Sequence, residues 1–247
     1  SMIECNGIDH MDFARRFKEW FDRQDIDDMD AHMRLVLQED SFLEDPHATC
    51  RRIYERQGFY EAPNEALGRA VLCGLWPGDI EKNVTDNCRL THWDNRCVAS
   101  CVITATVANE LLWHRRMVDY DHLLGLATRL DPSVIPYIEA AHDGSLDDFA
   151  IDDEETSWYV RKNLGIALWC LWHHTVPEEA LLEVVAQGGD ANANGAIAMG
   201  LMGLRYGYSN LPARLLEGLL EGEILESVSD RLIDTLQHAD DGHDTDD

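Results

Sequence analysis

Asp190, Asn192 and Asn194 stand directly behind Gly188-Gly189 and ahead of a run of small residues, Gly195-Ala196-Ile197-Ala198. The spacing predicts a tight turn that lifts polar side chains onto the first turn of a helix. The first N–H groups of a helix have no internal partner and the dipole is positive there. Such a place attracts an anion or holds oxygen ligands for a metal. The plainer role is capping, with Asp190 as the N-cap and the two asparagines satisfied locally. Gly195, Gly200, Gly203 and Gly207 lower helix propensity and point to close approach by a backbone or a ligand.

Three further segments carry chemistry-bearing side chains. Thr91-His92-Trp93-Asp94-Asn95-Arg96 precedes an apolar helix. A histidine and an arginine at a helix mouth suit a phosphate or a ribose. Alternatively Thr91 or Asp94 caps the helix and His92 only packs. In Pro63-Asn64-Glu65-Ala66-Leu67-Gly68-Arg69, Asn64 can cap a helix and Arg69 can pair with a surface acid. Trp158-Tyr159 opens a helix that also holds Trp169 and Trp172, the usual make-up of an aromatic core.

The elements that must position these residues read as helices nearly throughout. Phe13, Phe17, Trp20 and Phe21 make one apolar face behind Asp9 or Asp12. Met29, Met33, Val36 and Leu37 make a second, and Asp45-Pro46 starts a third with Cys50, Ile53 and Tyr54 inward. A fourth runs from Asn64 to Trp76, where Pro77-Gly78 stops it. Others are expected over 96–114, 119–130, 132–142, 155–173, 177–187, 191–206, 212–221 and 223–237. Strand signals are nearly absent. The expectation is one all-α domain over 1–237, then a disordered acidic tail over 238–247 with five aspartates.

The 247 residues can bury a sizeable core. A formal charge of −27, from 47 acids against 20 bases, leaves no basic stripe for phosphates. Nucleic acid and anionic membrane are therefore excluded as partners. No apolar run reads as long enough to span a bilayer, and the early Glu4, Asp9 and Asp12 do not read as a signal peptide. The seven cysteines include no Cys-x-x-Cys pair, and the reading is of buried thiols in a reducing, cytoplasmic protein.

In order and spacing the four segments resemble the ADP-ribosylglycohydrolase family. Gly188-Gly189-Asp190-Ala191-Asn192-Ala193 is similar to that family's Gly-Gly-Asp-Ala-Asp-Thr metal signature, with Asn192 for the second Asp and Ala193 for the Thr. Thr91 to Cys97 resembles its Thr-His-x-Asp-Pro-Arg-Cys run, with Asn95 for Pro. The Asn64–Arg69 loop resembles Asn-Gly-Ala-x-Met-Arg, with Glu65 where Gly is usual and Gly68 where Met is usual. Tyr159 falls where the family has a Gly-Tyr pair, and Tyr206-Gly207 to Pro212 looks like its closing segment. The likeness covers about residues 8–220.

The resemblance implies a compact orthogonal multi-helix fold. It implies that Asn64, Arg69, His92, Asp94, Tyr159, Gly188 and Gly189 bind an ADP-ribose-like ligand or an ADP-ribosylated protein, and that Asp190, as catalytic residue, and Asn192 bind metal. It also implies two Mg2+ ions, held partly by a Thr-Asp-Asp set near the family's front, which position a ribose and the attacking water. That front motif and its helix do not occur in this sequence, so the expected fold lacks them. Of four family carboxylates Asp190 remains, although Asp152, Asp153 or Glu154 could substitute. Hard cations prefer anionic oxygen, and two dications beside one carboxylate repel each other. Glu65 would repel a diphosphate, turn outward, or supply a replacement ligand. The expectation is therefore an ADP-ribosylglycohydrolase-like protein, catalytically impaired or non-catalytic, that retains binding of ADP-ribose, of a related nucleotide or of a partner. The alternatives are hydrolysis of an N- or O-glycosidic ADP-ribosyl bond at a reduced Mg2+ site, or a fold reused without ligand. An absent first helix would leave an apolar groove for a homodimer to fill.

Overall fold

The computed structural model describes residues 1–23, 29–58 and 62–243. Among the described residues there is no strand; Pro63 and Tyr159 form an isolated antiparallel bridge. The helices run α1 (Met2–Cys5), α2 (His10–Arg23), α3 (Ala31–Leu37), α4 (Pro46–Gln57), α5 (Glu65–Gly74), α6 (Ile80–Cys88) and α7 (Asn95–Asn109). After these come α8 (Tyr120–Leu130), α9 (Ile135–Asp143), α10 (Val160–His173), α11 (Pro177–Ala186), α12 (Ala191–Tyr206), α13 (Ala213–Leu216) and α14 (Gly222–His243).

Several starts follow local capping chemistry. The carboxylates of Asp30, Asp45, Asp79 and Asp94 each accept an N–H from the first turn that follows. The expected helices are present with shifted bounds. Residues 155–158 are turn rather than helix and Tyr159 is in the bridge, and the helix expected over 212–221 shrinks to α13, with Glu221 at a φ of 56° beyond it. Helix α6 lacked an expectation, although Asp79 caps it. The terminal α14 extends to His243, inside the stretch read as a disordered tail, and 244–247 lie outside the described residues.

Two apolar cores hold the chain. The larger surrounds α7 and α10, whose inward faces are nearly continuous Val, Ile, Leu, Ala and Cys. Gly74 lets α5 approach α7, since a Cβ there would lie 2.4 Å from the Ala105 carbonyl oxygen. The smaller core joins α2, α3 and α4 through Met33, Val36, Leu37, Phe42, Cys50 and Ile53. One expectation fails here. By length and composition Asn95–His114 is apolar enough to cross a membrane, yet 67% of that window is buried as the central core helix. The turn of π-helix over Glu110–His114 completes it.

Candidate functional site

The cleft forms where α12 begins. Gly188 and Gly189 sit at φ of 76° and 60°, and a Cβ on Gly189 would meet the Ile151 carbonyl oxygen at 1.9 Å. Only glycine fits that left-handed turn, and it carries the chain directly into Asp190. Asp190 occupies the N-cap position, but its side chain does not cap. Instead its Oδ2 accepts a hydrogen bond of 2.6 Å from Asn64 Nδ2. Asn64 also donates to Asn163 Oδ1 at 2.9 Å, and Asn163 donates in turn to Asn194 Oδ1. The three asparagines are buried. Buried amides are stable only when paired, so this relay fixes α5, α10 and α12 against one another and aims Asp190 into the opening. The cleft has a volume of about 380 Å3 and is lined by Asn64, Glu65, Trp158, Asp190 and Asn192 among others.

Asp30 and Glu65, which also line the cleft, belong to a cluster that the sequence did not disclose. Asp30, Glu65 and His92 converge so that one ligand atom from each lies within 4.8 Å of the others. Asp30 caps α3, its Oδ1 accepting from the Met33 N–H at 2.7 Å, and its own N–H donates to Glu65 Oε1. His92 Nδ1 contacts Thr91 Oγ1 at 2.8 Å, and its Nε2 lies 3.2 Å from Asp30 Oδ2. Two adjacent carboxyls in a desolvated place cannot both ionise, so the pair keeps a proton. Burial first, then Asp30, pushes Glu65 up to about 9. Burial alone would raise Asp30 too, but the adjacent His92 imidazole and Glu65 carboxyl hold it below the usual carboxylate range. Burial keeps His92 neutral by lowering its pKa. Of the three readings for Glu65, it neither faces outward nor points alone at the opening.

The other expected ligand residues land elsewhere. Arg69 does not line the cleft: Nε donates to Asn87 Oδ1 at 2.9 Å, Nη2 donates to Thr91 Oγ1, and the guanidinium lies 5.0 Å from the Phe17 ring. It pairs with no surface acid either, and it ties α5 to the turn that leads into α7. Asp94 faces a separate depression with Arg51, Trp93 and Arg96. There it accepts from Tyr54 Oη at 2.5 Å and from Arg96 Nη2 at 2.7 Å, so its charge is already compensated. Tyr159 bridges Pro63 on the backbone, and its neighbour Trp158, packed at 4.7 Å, is the aromatic that reaches the cleft. Asn192 lines the opening and is exposed. Asp152, Asp153 and Glu154 are exposed and outside the lining. Asn163 went unforeseen; its one signal is an amide at the start of an otherwise apolar helix face.

The ADP-ribosylglycohydrolase family pattern matches residues 1–242. The chain belongs to this family. It is 27% identical over 144 residues to ADP-ribosylarginine hydrolase Tri1 of Serratia proteamaculans (strain 568), covering 58% of this chain and 37% of that one. To ADP-ribosylarginine hydrolase Tri1 of Pseudomonas putida (strain GB-1) it is 25% identical over 179 residues, or 72% and 45% of the two chains. The matched region thus spans less than half the length of either relative. A solved ADP-ribosylglycohydrolase-related protein complex shares the fold, with a TM-score of 0.72 and 24% identity over 95% of this chain and 76% of that chain.

The two-Mg2+ arrangement that the resemblance implied does not fit the residues on α12. Asp190 supplies the one carboxylate there and is engaged by Asn64, Asn192 supplies a neutral amide, and Ala193 has no side-chain oxygen. A pair of hard dications needs more anionic oxygen than this. Among the described residues the one three-membered group of potential metal ligands is Asp30, Glu65 and His92.

Proposed function

We propose that the cleft at the start of α12 binds an ADP-ribosyl group and that this chain's own residues retain it without efficient hydrolysis. The observation that carries this reading is the Asn64–Asp190 hydrogen bond. It joins two family segments 126 residues apart at the mouth of one cleft. The first N–H groups of the 16-residue α12 open onto that mouth and suit a diphosphate. Trp158 offers an aromatic face for an adenine. The replacement of Asp and Thr by Asn192 and Ala193 argues against the family's metal-assisted water activation. The arginine-linked ADP-ribosyl group named for the two relatives is the first substrate class to test.

The experiment is a melting-temperature titration with ADP-ribose, in chelator and in Mg2+ or Mn2+, beside a release assay on ADP-ribosylated arginine. A ligand at a hundred times its Kd stabilises the native state by about 2.7 kcal/mol. The expected result is such a rise, abolished by Asn64→Ala, with little release of ADP-ribose. No rise under any condition refutes the binding reading. Rapid Mg2+-dependent release refutes the loss of hydrolysis.

A further inference from the structure

We propose that Asp30, Glu65 and His92 form a binding site for one divalent transition-metal ion in the wall of the cleft. Each of the three residues uses one polar atom to hold its place and leaves the other without a hydrogen bond. Asp30 Oδ1 takes the Met33 N–H, Glu65 Oε1 takes the Asp30 N–H, and His92 Nδ1 is engaged by Thr91. The remaining Asp30 Oδ2, Glu65 Oε2 and His92 Nε2 are buried and have no hydrogen-bond partner among the described residues. His92 Nε2 and Asp30 Oδ2 approach to 3.2 Å without the alignment of a hydrogen bond. Buried polar atoms that lack partners are costly, and a single cation placed among the three satisfies them together.

The geometry and donor set suit such an ion. Three donors around one metal at about 2.1 Å lie about 3.0–3.6 Å from one another. His92 Nε2 and Asp30 Oδ2 already stand 3.2 Å apart, and with all three groups within 4.8 Å the longest gap needs to close by about 1 Å, within reach of a side-chain rotation. The Thr91 contact on Nδ1 supplies the outer support that metal-binding imidazoles use. One imidazole nitrogen with two carboxylate oxygens favours Mn2+, Fe2+ or Zn2+ over Mg2+. The site also answers an electrostatic difficulty in the cleft. Asp30, Glu65 and Asp190 line it, and no Lys or Arg does among the described residues. A diphosphate entering an acid-lined cleft needs a cation between. That role rests on the ADP-ribosyl reading above, whereas the metal site itself does not.

The test uses the metal alone. Chelator-stripped full-length protein is titrated with Mn2+, followed by calorimetry and by the electron paramagnetic resonance of the free ion. Mn2+ is preferred to Zn2+ because Cys5 is an exposed thiol. The expected result is one saturable equivalent, weakened tenfold or more by Glu65→Gln and by His92→Gln, and unchanged by Asp190→Asn. Gln matches the shape of a protonated Glu, so a metal-free melting temperature at neutral pH no lower than that of the wild type shows that the fold survives. Absence of saturable binding overturns the proposal, as does equal affinity in Glu65→Gln, which would assign the ion to the general acidic surface. Mn2+ binding without any effect of ADP-ribose sustains the metal site and removes the ADP-ribosyl reading. ADP-ribose binding without Mn2+ binding does the reverse.

Discussion

Replacing Glu65 by Gln should make the metal-free protein less sensitive to alkali. In the unfolded chain Glu65 loses its proton near its ordinary value of 4.5, whereas in the fold its pKa is pushed up to about 9. Between those values the native state holds one proton more than the unfolded state. Stability is therefore fully present below the lower value and falls as pH rises toward the upper one, by about 1.4 kcal/mol per pH unit. Asp30, held low, is ionised in both states throughout this range. The charge of Arg69 moderates the rise of Glu65. His92, lowered by burial, contributes with the opposite sign, but only below about its ordinary 6.5. The clean window is thus above neutrality. For a chain of this size 1 kcal/mol moves Tm by about 2–4 °C. From about pH 7 to about pH 8 the wild type should lose about 3–6 °C relative to Glu65→Gln. The assay is differential scanning calorimetry of both proteins in chelator across that window. Parallel Tm curves would refute the shared proton.

Gly189→Ala should lower Tm and weaken ADP-ribose binding together, because it forces a Cβ to within 1.9 Å of the Ile151 carbonyl oxygen and displaces Asp190; an unchanged affinity would detach the turn from the cleft. Asn163→Leu should cost about 1–3 kcal/mol for each amide partner it strands, read as a lower denaturant midpoint, and a neutral result would mean that the relay through Asn64 and Asn194 carries no stability. Arg69→Gln should lower Tm while leaving the ADP-ribose affinity of the folded protein unchanged, since Arg69 binds α6 and Thr91 and not the cleft. Asp94→Asn should likewise spare ADP-ribose affinity, and calorimetry showing otherwise would move the ligand into the second depression.

The fold was legible because it rests on local signals. Apolar spacing, Asp N-caps at Asp45 and Asp94, and stops such as Pro77-Gly78 act within a few residues, and the helices follow them. The family segments were legible for the same reason, each being contiguous. What stayed hidden depends on contacts between distant positions. Nothing in residues 28–34 marks Asp30 as more than an N-cap, and its capping oxygen does perform that role. Its other oxygen finds Glu65 and His92 only because α3, α5 and the turn before α7 are packed together. Arg69 failed in the other direction. Its type and place suggested a ligand, but a guanidinium that is offered buried carbonyls and an amide satisfies its donors there.

The cleft redistributes charge relative to the motif it resembles. On α12 the side chains at 192 and 193 have lost the anionic and hydroxyl oxygens of the family pattern. Across the opening Glu65 replaces the usual glycine, and Asp30 stands beside it. A new carboxylate in a partly dry wall, lacking compensation, would be expected to lower both stability and affinity for a diphosphate. The structure shows how the cost is contained: Asp30 is stabilised by the Met33 N–H and His92, and Glu65 keeps its proton. A proton held there is exchangeable for a metal ion; a dication between two ionised carboxylates then cancels their charge, so the same wall passes from negative to neutral. Substitutions on α12 and at Glu65 are therefore best treated as one change, and the informative variant is the double one. Restoring Asn192→Asp and Glu65→Gly together should raise Mg2+ affinity on the α12 side and abolish Mn2+ binding on the other. Independent, additive effects of the two substitutions on both metals would show that the walls do not communicate.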